Sequence, residues 1–400
     1  MKGEREALTL AIYTDLETAR ASVLRRQFFD DVDIPPPLQA SIDRMFGAGT
    51  TPAMVVDRII ADVRTRGDEA LRLYSREIEG VELSGVAVEQ DELAAAVDAV
   101  EPELVAALRL AAERIERFHA KQTRQSWVDW NDEGALGQIV VPLERVGIYV
   151  PAGTAPLPSS LLMAAIPARV AGVDEIVVCS PPHRETGAIA PVVLAAAAIA
   201  GVRRVFKLGG AQAIAAMAYG TESVARVDKI VGPGNLFVVL AKRAVYGAVD
   251  IESLPGPTET MVIADAGADP RLAAADLLAQ AEHDTIASAI MLTPSPEFAA
   301  AVQVEVGRQL EELARADIAA LSLKRRGGIV IVPSIEEAIR VANDYAPEHL
   351  CLLVDDAWRY VGLVRNAGGI FLGERSFEVL GDYIAGPSHI MPTGGTARYA

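Results

Sequence analysis

Basic residues are scarce for the length of this chain. Its 400 residues carry 37 Lys and Arg against 54 Asp and Glu, a formal net charge of −17. So acidic a surface argues against nucleic acid or an anionic membrane as partner, because both call for a basic face. Cysteine is scarcer still. Cys179 and Cys351 are the only two, too few for a disulfide framework or a multi-thiolate metal site. No apolar run reaches the roughly 18 residues of a membrane span, and the Ala-rich stretch 189–202 is broken by Pro191 and Gly201. The first fifteen residues mix acids with apolar side chains and lack the apolar centre of a secretion signal. No G-x-G-x-x-G follows a predicted strand, so the usual dinucleotide fingerprint is missing as well. What is present is a chain 51% apolar and 23% charged, an ordinary globular composition with room for two or three domains. The expected location is the cytoplasm.

Residues 1–46 alternate charged and apolar side chains and run through Pro35-Pro36-Pro37, which predicts an N-terminal helical arm. Helical spacing follows from Thr51 (Met54, Val55, Ile59, Ile60, Val63) and again through 93–120. Beyond Leu143 the pattern changes to short β-branched runs separated by Ala-rich helices. Strands are predicted at 146–150, 175–179, 204–208, 229–231, 260–264, 287–292, 328–332 and 350–354. Helices are predicted at 160–171, 191–200, 211–219, 271–283, 297–314 and 335–343. That alternation is the signature of right-handed βαβ units and parallel sheets. The fold class expected is α/β: two open parallel-sheet, incomplete Rossmann-like domains plus the N-terminal helical arm. The domains are placed at 146–255 and at 47–145 with 256–400, with a boundary at Pro255-Gly256-Pro257. The end, from Gly368, reads as glycine-rich loop.

Only five histidines occur, so their placement is informative. His119 closes a charged helix and His183 follows Pro181-Pro182; both read as solvated side chains. The others have chemically useful neighbours. Gln280 and His283 are three apart at the end of a predicted helix and share a face, where an amide oxygen and an imidazole can hold a borderline metal such as Zn²⁺. The plainer alternative is a histidine favouring the negative end of its helix. Glu348 and His349 are adjacent titratable groups at the start of a strand. They suit proton transfer near neutral pH and are expected to point to opposite sides and do different jobs. Asp382 and His389 stand seven apart in a Gly/Pro-tethered loop and could converge on one centre. Gly209-Gly210-Ala211-Gln212 and Gly232-Pro233-Gly234-Asn235 each follow a predicted strand and open a helix. Backbone N–H groups there could hold a phosphate without basic side chains, although a plain turn accounts for either.

The runs 145–160 (Arg-Val-Gly-Ile-Tyr-Val-Pro-Ala-Gly-Thr-Ala-Pro-Leu-Pro-Ser-Ser), Gly209–Gln212, Val231–Asn235, Gly256–Glu259, Gln280–Asp284, Ala346–His349 and Gly381–Tyr383 resemble, in order, the histidinol dehydrogenase family. The resemblance covers nearly everything from about residue 40 onward. It implies a zinc- and NAD-dependent oxidoreductase that oxidises L-histidinol twice, through bound L-histidinaldehyde, to L-histidine. By that resemblance Gln280, His283 and Asp382 match zinc ligands, and Glu348 and His349 the proton-transfer pair. Tyr149, Gln212 and Asn235 match NAD contacts. Thr258 and His389 match substrate contacts, with Thr258 where many members have Ser; Gln280, His283, His349 and Asp382 also face the substrate. Family members generally continue past the Gly394–Tyr399 segment into a tail that supplies a fourth zinc ligand, a His, and a substrate-binding Glu. The arm and tail are where the family's intertwined dimer is made, so a homodimer is implied, with no nucleic acid or membrane partner. The alternatives are a paralogous zinc/NAD dehydrogenase of another polar alcohol, such as a sulfonated diol, or a form with weakened catalysis. A thiohemiacetal route through Cys351 is disfavoured by its strand-core setting.

Overall fold

The computed structural model describes residues 9–26, 34–152 and 156–399. Residues 1–8 and 27–33 of the predicted arm, and Gly153–Ala155 of the 145–160 run, lie outside the described residues. The chain divides into two compact units. One comprises Met1–Asp33, Pro255–Gly381 and Met391–Ala400, the other Ile34–Leu254 and Asp382–Ile390.

The first unit is built on a six-stranded parallel sheet in the order Ile12–Tyr13, Gly327–Ile331, Ser288–Thr293, Glu259–Ala264, His349–Leu353, Gly369–Leu372. Its central strands are buried along their whole length, because helices cover both faces. Alternation sorts the side chains. Val262, Ala264, Met291, Ile329, Cys351 and Leu353 pack on one face with the Pro270–Ala281, Pro296–Leu310 and Ala316–Arg326 helices. Met261, Ile263, Ile290, Leu292, Leu350 and Leu352 pack on the other with Ile335–Tyr345. Cys351 is fully buried, as its strand-core setting predicted.

The second unit holds a five-stranded parallel sheet ordered Arg204–Lys207, Glu175–Ser180, Arg145–Tyr149, Lys229–Val231, Asp250–Ile251. On one face lie the Pro52–Arg66, Gly210–Tyr219 and Leu236–Val245 helices, on the other Pro102–His119, Pro158–Val170 and Pro191–Ala200. The strand order reverses between Arg145–Tyr149 and Lys229–Val231, which makes their carboxyl ends the topological switch point. A cavity of about 610 Å³ in this unit, lined by Val146, Met163, Pro167 and Val231 among others, contains neither Tyr149, Gln212 nor Asn235.

The parallel α/β class is as expected, but several local readings differ. Residues 47–145 fall in the unit of the second sheet, because the apolar stripe Val55, Val56, Ile59, Ile60, Val63 is buried with Ile214, Met217 and Val238. The N-terminal stretch is helical at Leu16–Ala21 and Pro36–Phe46, but before them Ile12 pairs with Ile329 and Leu10 is 1% exposed, so it also supplies the sheet's edge strand. The segment after Gly368 contains a strand, Gly369–Leu372, in register with His349–Leu352. His119 is buried, its Nδ1 2.6 Å from the Gln122 amide oxygen, whereas His183 is exposed. An antiparallel hairpin, Trp127–Asn131 with Gly134–Gln138, was not foreseen. Nor was the Ala316–Arg326 helix.

Candidate active site

Strands Glu259–Ala264 and His349–Leu353 are neighbours, with His349 opposite Thr260. The helix that follows the first of them, Pro270–Ala281, runs back antiparallel, as a parallel βα unit requires. Its last turn therefore returns to the amino ends of the strands. The result is a polar group at the sheet's amino edge, the opposite end from the one at which open α/β sheets usually bind ligands.

Glu259 organises this group through its backbone. Its N–H donates to Glu348 Oε2 at 3.0 Å. Its carbonyl accepts from His349 Nδ1 at 3.1 Å, which makes Nε2 the basic nitrogen of the neutral ring. One peptide residue thus fixes both members of the pair. Adjacent residues on an extended chain were expected to diverge, yet Glu348 Oε2 lies 3.7 Å from His349 Nδ1. Glu348 lies in a bend and the strand begins only at His349, so the alternation expected of an extended chain does not apply to the pair. Glu348 and His349 are 7% and 4% exposed. Burial pushes the Glu348 carboxyl up, opposed by His349 and by the Thr258 hydroxyl.

Thr258 Oγ1 sits 2.6 Å from Glu348 Oε2 and 2.6 Å from the Gln280 amide oxygen. A hydroxyl has one proton to give, so it serves one acceptor at a time. The Gln280 amide is satisfied in one orientation, with its nitrogen donating to Glu378 Oε1 at 3.1 Å. The helix ends at Ala281, so His283 lies just past it; its Nδ1 donates to the Ala279 carbonyl at 2.9 Å. Gln280 is fully buried and His283 is exposed.

Four further residues of this unit went unread in the sequence. The Glu259 side chain is paired with Arg26, whose Nη2 lies 3.0 Å from Oε2, whose Nε donates to the Tyr345 carbonyl at 3.0 Å and whose guanidinium stacks over the Tyr345 ring. Asp276 is buried one turn before Gln280, its carboxyl pushed up to about 6 by burial while the His349 charge opposes the rise. Glu378 orients Gln280. For Glu259 a signal existed, its place beside Thr258 in the quoted Gly256–Glu259 run. A lone arginine and two acids give none, since spacing does not distinguish a buried carboxylate from a solvated one.

The remaining predicted residues belong to the second unit. Tyr149 is buried at the switch point, and its hydroxyl accepts from the Gly210 N–H at 3.1 Å. That donor, at the first of the two glycine-rich helix starts, is thereby taken by the protein itself. Gln212 is fully buried, and neither its amide oxygen nor its nitrogen has a hydrogen-bond partner. Asn235 caps its own helix, Oδ1 accepting from Phe237 N–H at 3.0 Å and Val238 N–H at 3.3 Å. Asp382 is buried, and its carbonyl accepts from His389 Nδ1 at 2.8 Å. Among the described residues, no three His, Cys, Asp or Glu side chains form a metal-holding group; the predicted donor set includes an amide and draws on both units.

The sequence model of the histidinol dehydrogenase family matches residues 49–400. A histidinol dehydrogenase of Deinococcus radiodurans is 52% identical over 386 residues, covering 96% of this chain and 88% of the relative. One from Moorella thermoacetica is 54% identical over 347 residues, 86% of this chain and 82% of the relative. The crystal structure of histidinol dehydrogenase from Elizabethkingia anophelis superimposes with a TM-score of 0.88 at 36% identity, covering 99% of this chain and 87% of that one. With the motifs, the fold and these relatives in agreement, the chain belongs to the histidinol dehydrogenase family of oxidoreductases.

Proposed function

We propose that this chain oxidises L-histidinol to L-histidine in two steps through bound L-histidinaldehyde, with zinc and NAD. The observation that carries the reading is the Glu348–His349 pair locked onto the backbone of Glu259.

The residues fit both groups. His283 gives its Nδ1 proton to a carbonyl, which fixes the tautomer with Nε2 as the lone-pair nitrogen, the arrangement metal-ligating histidines favour. Gln280 is anchored through its nitrogen; its oxygen accepts from the Glu259 N–H at 3.2 Å and faces the Thr258 hydroxyl at 2.6 Å, and with that hydroxyl turned to Glu348 it would keep one lone pair for a metal. These two would hold zinc from the first unit, and the family resemblance adds Asp382. In the second unit the orphaned Gln212 amide suits a cofactor that supplies the missing hydrogen bonds; Tyr149 and Asn235 are its companions. When bound, zinc would orient the substrate and NAD would accept hydride.

The chain's own groups account for the protons. His349 Nε2 takes the alcohol proton as hydride leaves the carbinol carbon. Glu348 then takes a proton from the water that adds to the aldehyde. Once its first proton has passed to solvent, His349 takes the hydrate's hydroxyl proton as the second hydride leaves, so one imidazole serves both oxidations. Thr258 can donate to Gln280 when Glu348 is protonated and to Glu348 when it is ionised, which keeps the carboxyl satisfied in both states. No thiol participates.

Zinc-loaded protein with NAD is expected to form two NADH per L-histidinol and to oxidise L-histidinaldehyde directly. Absence of NADH with saturating zinc would refute the reading; faster turnover of sulfonated or simple diols would give the paralogous enzyme instead. A homodimer in the cytoplasm is proposed with it; a monomer by sedimentation of the active protein would count against the dimer. Among the described residues, no helix is long and apolar enough to cross a membrane.

A further inference from the structure

The second unit contains a buried ion pair beneath the Gly232–Asn235 turn. Lys242, on the Leu236–Val245 helix, is 0% exposed. Its Nζ lies 2.6 Å from Glu252 Oε2, on the chain just past the Asp250–Ile251 strand. An ammonium so enclosed is costly to desolvate and persists only with a partner. The pair closes on one target. Glu252 Oε1 accepts from the Gly232 N–H at 2.7 Å, and Lys242 Nζ donates to the Gly232 carbonyl at 3.2 Å.

Gly232 is held in an unusual place. Its φ is +116°, and a Cβ there would meet the Tyr149 carbonyl oxygen at 2.1 Å. The residue therefore lies flat against Tyr149 at the switch point, in a conformation that only glycine adopts readily. Three residues later comes Asn235. The loop between has no regular structure to hold it, so its shape depends on what grips its first residue from both sides.

We propose that Lys242 and Glu252 are positioning residues for nucleotide binding, clamping Gly232 so that Tyr149 and Asn235 stand at a fixed separation before the cofactor arrives. This rests on the reading of Tyr149 and Asn235 as NAD contacts. Pre-ordering the loop removes an ordering cost from binding, so its loss is expected in affinity for NAD and not in affinity for histidinol.

The test removes both charges together, because a single deletion strands the other ion and can unfold the protein. In Lys242→Met/Glu252→Met the clamp is gone and the space stays filled. In Lys242→Met/Glu252→Gln the amide oxygen can still accept from the Gly232 N–H. NAD and zinc binding are measured by calorimetry on the full chain, with thermal midpoints alongside. The expected result is at least a tenfold rise in the NAD Kd of the Met/Met protein, partial recovery in Met/Gln, and unchanged zinc and histidinol affinity. An NAD Kd within twofold of wild type in the folded Met/Met variant, or no recovery in Met/Gln, overturns the proposal, whatever the midpoint does. Asn235→Ala separates the two claims. If it weakens NAD binding while the double variants do not, the clamp fails alone; if it binds NAD like wild type, the nucleotide reading fails and takes the clamp with it.

Discussion

Glu79 offers a quantitative test of how this chain tolerates a buried acid. It closes the short Ser75–Glu79 helical turn beside Gly209, and both carboxylate oxygens are buried without a well-formed hydrogen bond. Burial pushes its carboxyl up from 4.5 to about 7, with the Ser75 hydroxyl and the Gly209 backbone only partly opposing it. The folded pKa lies above the unfolded one, so the unfolded state releases its proton first and stability falls as pH rises through that interval. Below 4.5 both states are protonated and nothing is lost; above 7 the loss is complete. Each pKa unit is worth about 1.4 kcal/mol, so at pH 8 the ionised carboxyl costs the fold roughly 3 kcal/mol, and at pH 5 less than about 1. Glu79→Gln keeps the shape and removes the ionisation. Its thermal midpoint is expected to exceed that of wild type by several degrees at pH 8 and to nearly coincide with it at pH 5. An equal gain at both pH values, or a loss at pH 8, would refute the reasoning, since neither follows from a carboxyl that titrates between.

Other perturbations separate the proposed roles. His349→Gln is expected to retain zinc by metal analysis and to lose at least about 10²-fold in both alcohol and aldehyde oxidation; loss in one step only would contradict a shared base. Glu348→Gln is expected to slow aldehyde oxidation far more than alcohol oxidation, measured with each substrate separately under single-turnover conditions. His283→Ala should raise the zinc Kd by an order of magnitude or more in a chelator competition, with activity following metal content. Arg26→Met leaves the buried Glu259 carboxylate without its partner and is expected to cost about 3–5 kcal/mol in denaturant unfolding; Arg26→Met/Glu259→Gln should recover much of that, and failure to do so would make the pair's charge irrelevant.

Both sheets were legible because their strands are β-branched runs buried on two faces, a pattern that survives without knowledge of neighbours. The Trp127–Asn131 hairpin was not, since every residue of its strands is exposed and no alternation marks a buried side. The strand Gly369–Leu372 hid behind its glycines: Gly369 lies against Met391 and Phe371, where a side chain would clash. At the site, Gln280, Glu348 and His349 stand out in the sequence by residue type and spacing, and Thr258 only by the family resemblance. The contact of Glu348 with His349 does not, because it depends on Glu259 offering its N–H to one and its carbonyl to the other, and a backbone has no letter in the sequence. His119 was misread for the mirror reason: a polar letter says nothing of the apolar cover that a fold later lays over it.

The edge strand Ile12–Tyr13 bears on how the polypeptide is born. Ile12 leaves the ribosome about three hundred residues ahead of its pairing partner Ile329. The continuous stretch from Ile34 to Leu254 carries every strand of the other sheet and can begin folding during synthesis. Arg26 and the strand before it wait unpaired until Glu259 and then Gly327–Ile331 emerge. A nascent chain stalled before Gly327 would therefore hold every strand of the second sheet but only three of the six in the first, Ile12–Tyr13, Glu259–Ala264 and Ser288–Thr293, and would lack Glu348 and His349, so the candidate site is completed only after the other sheet's strands are all made.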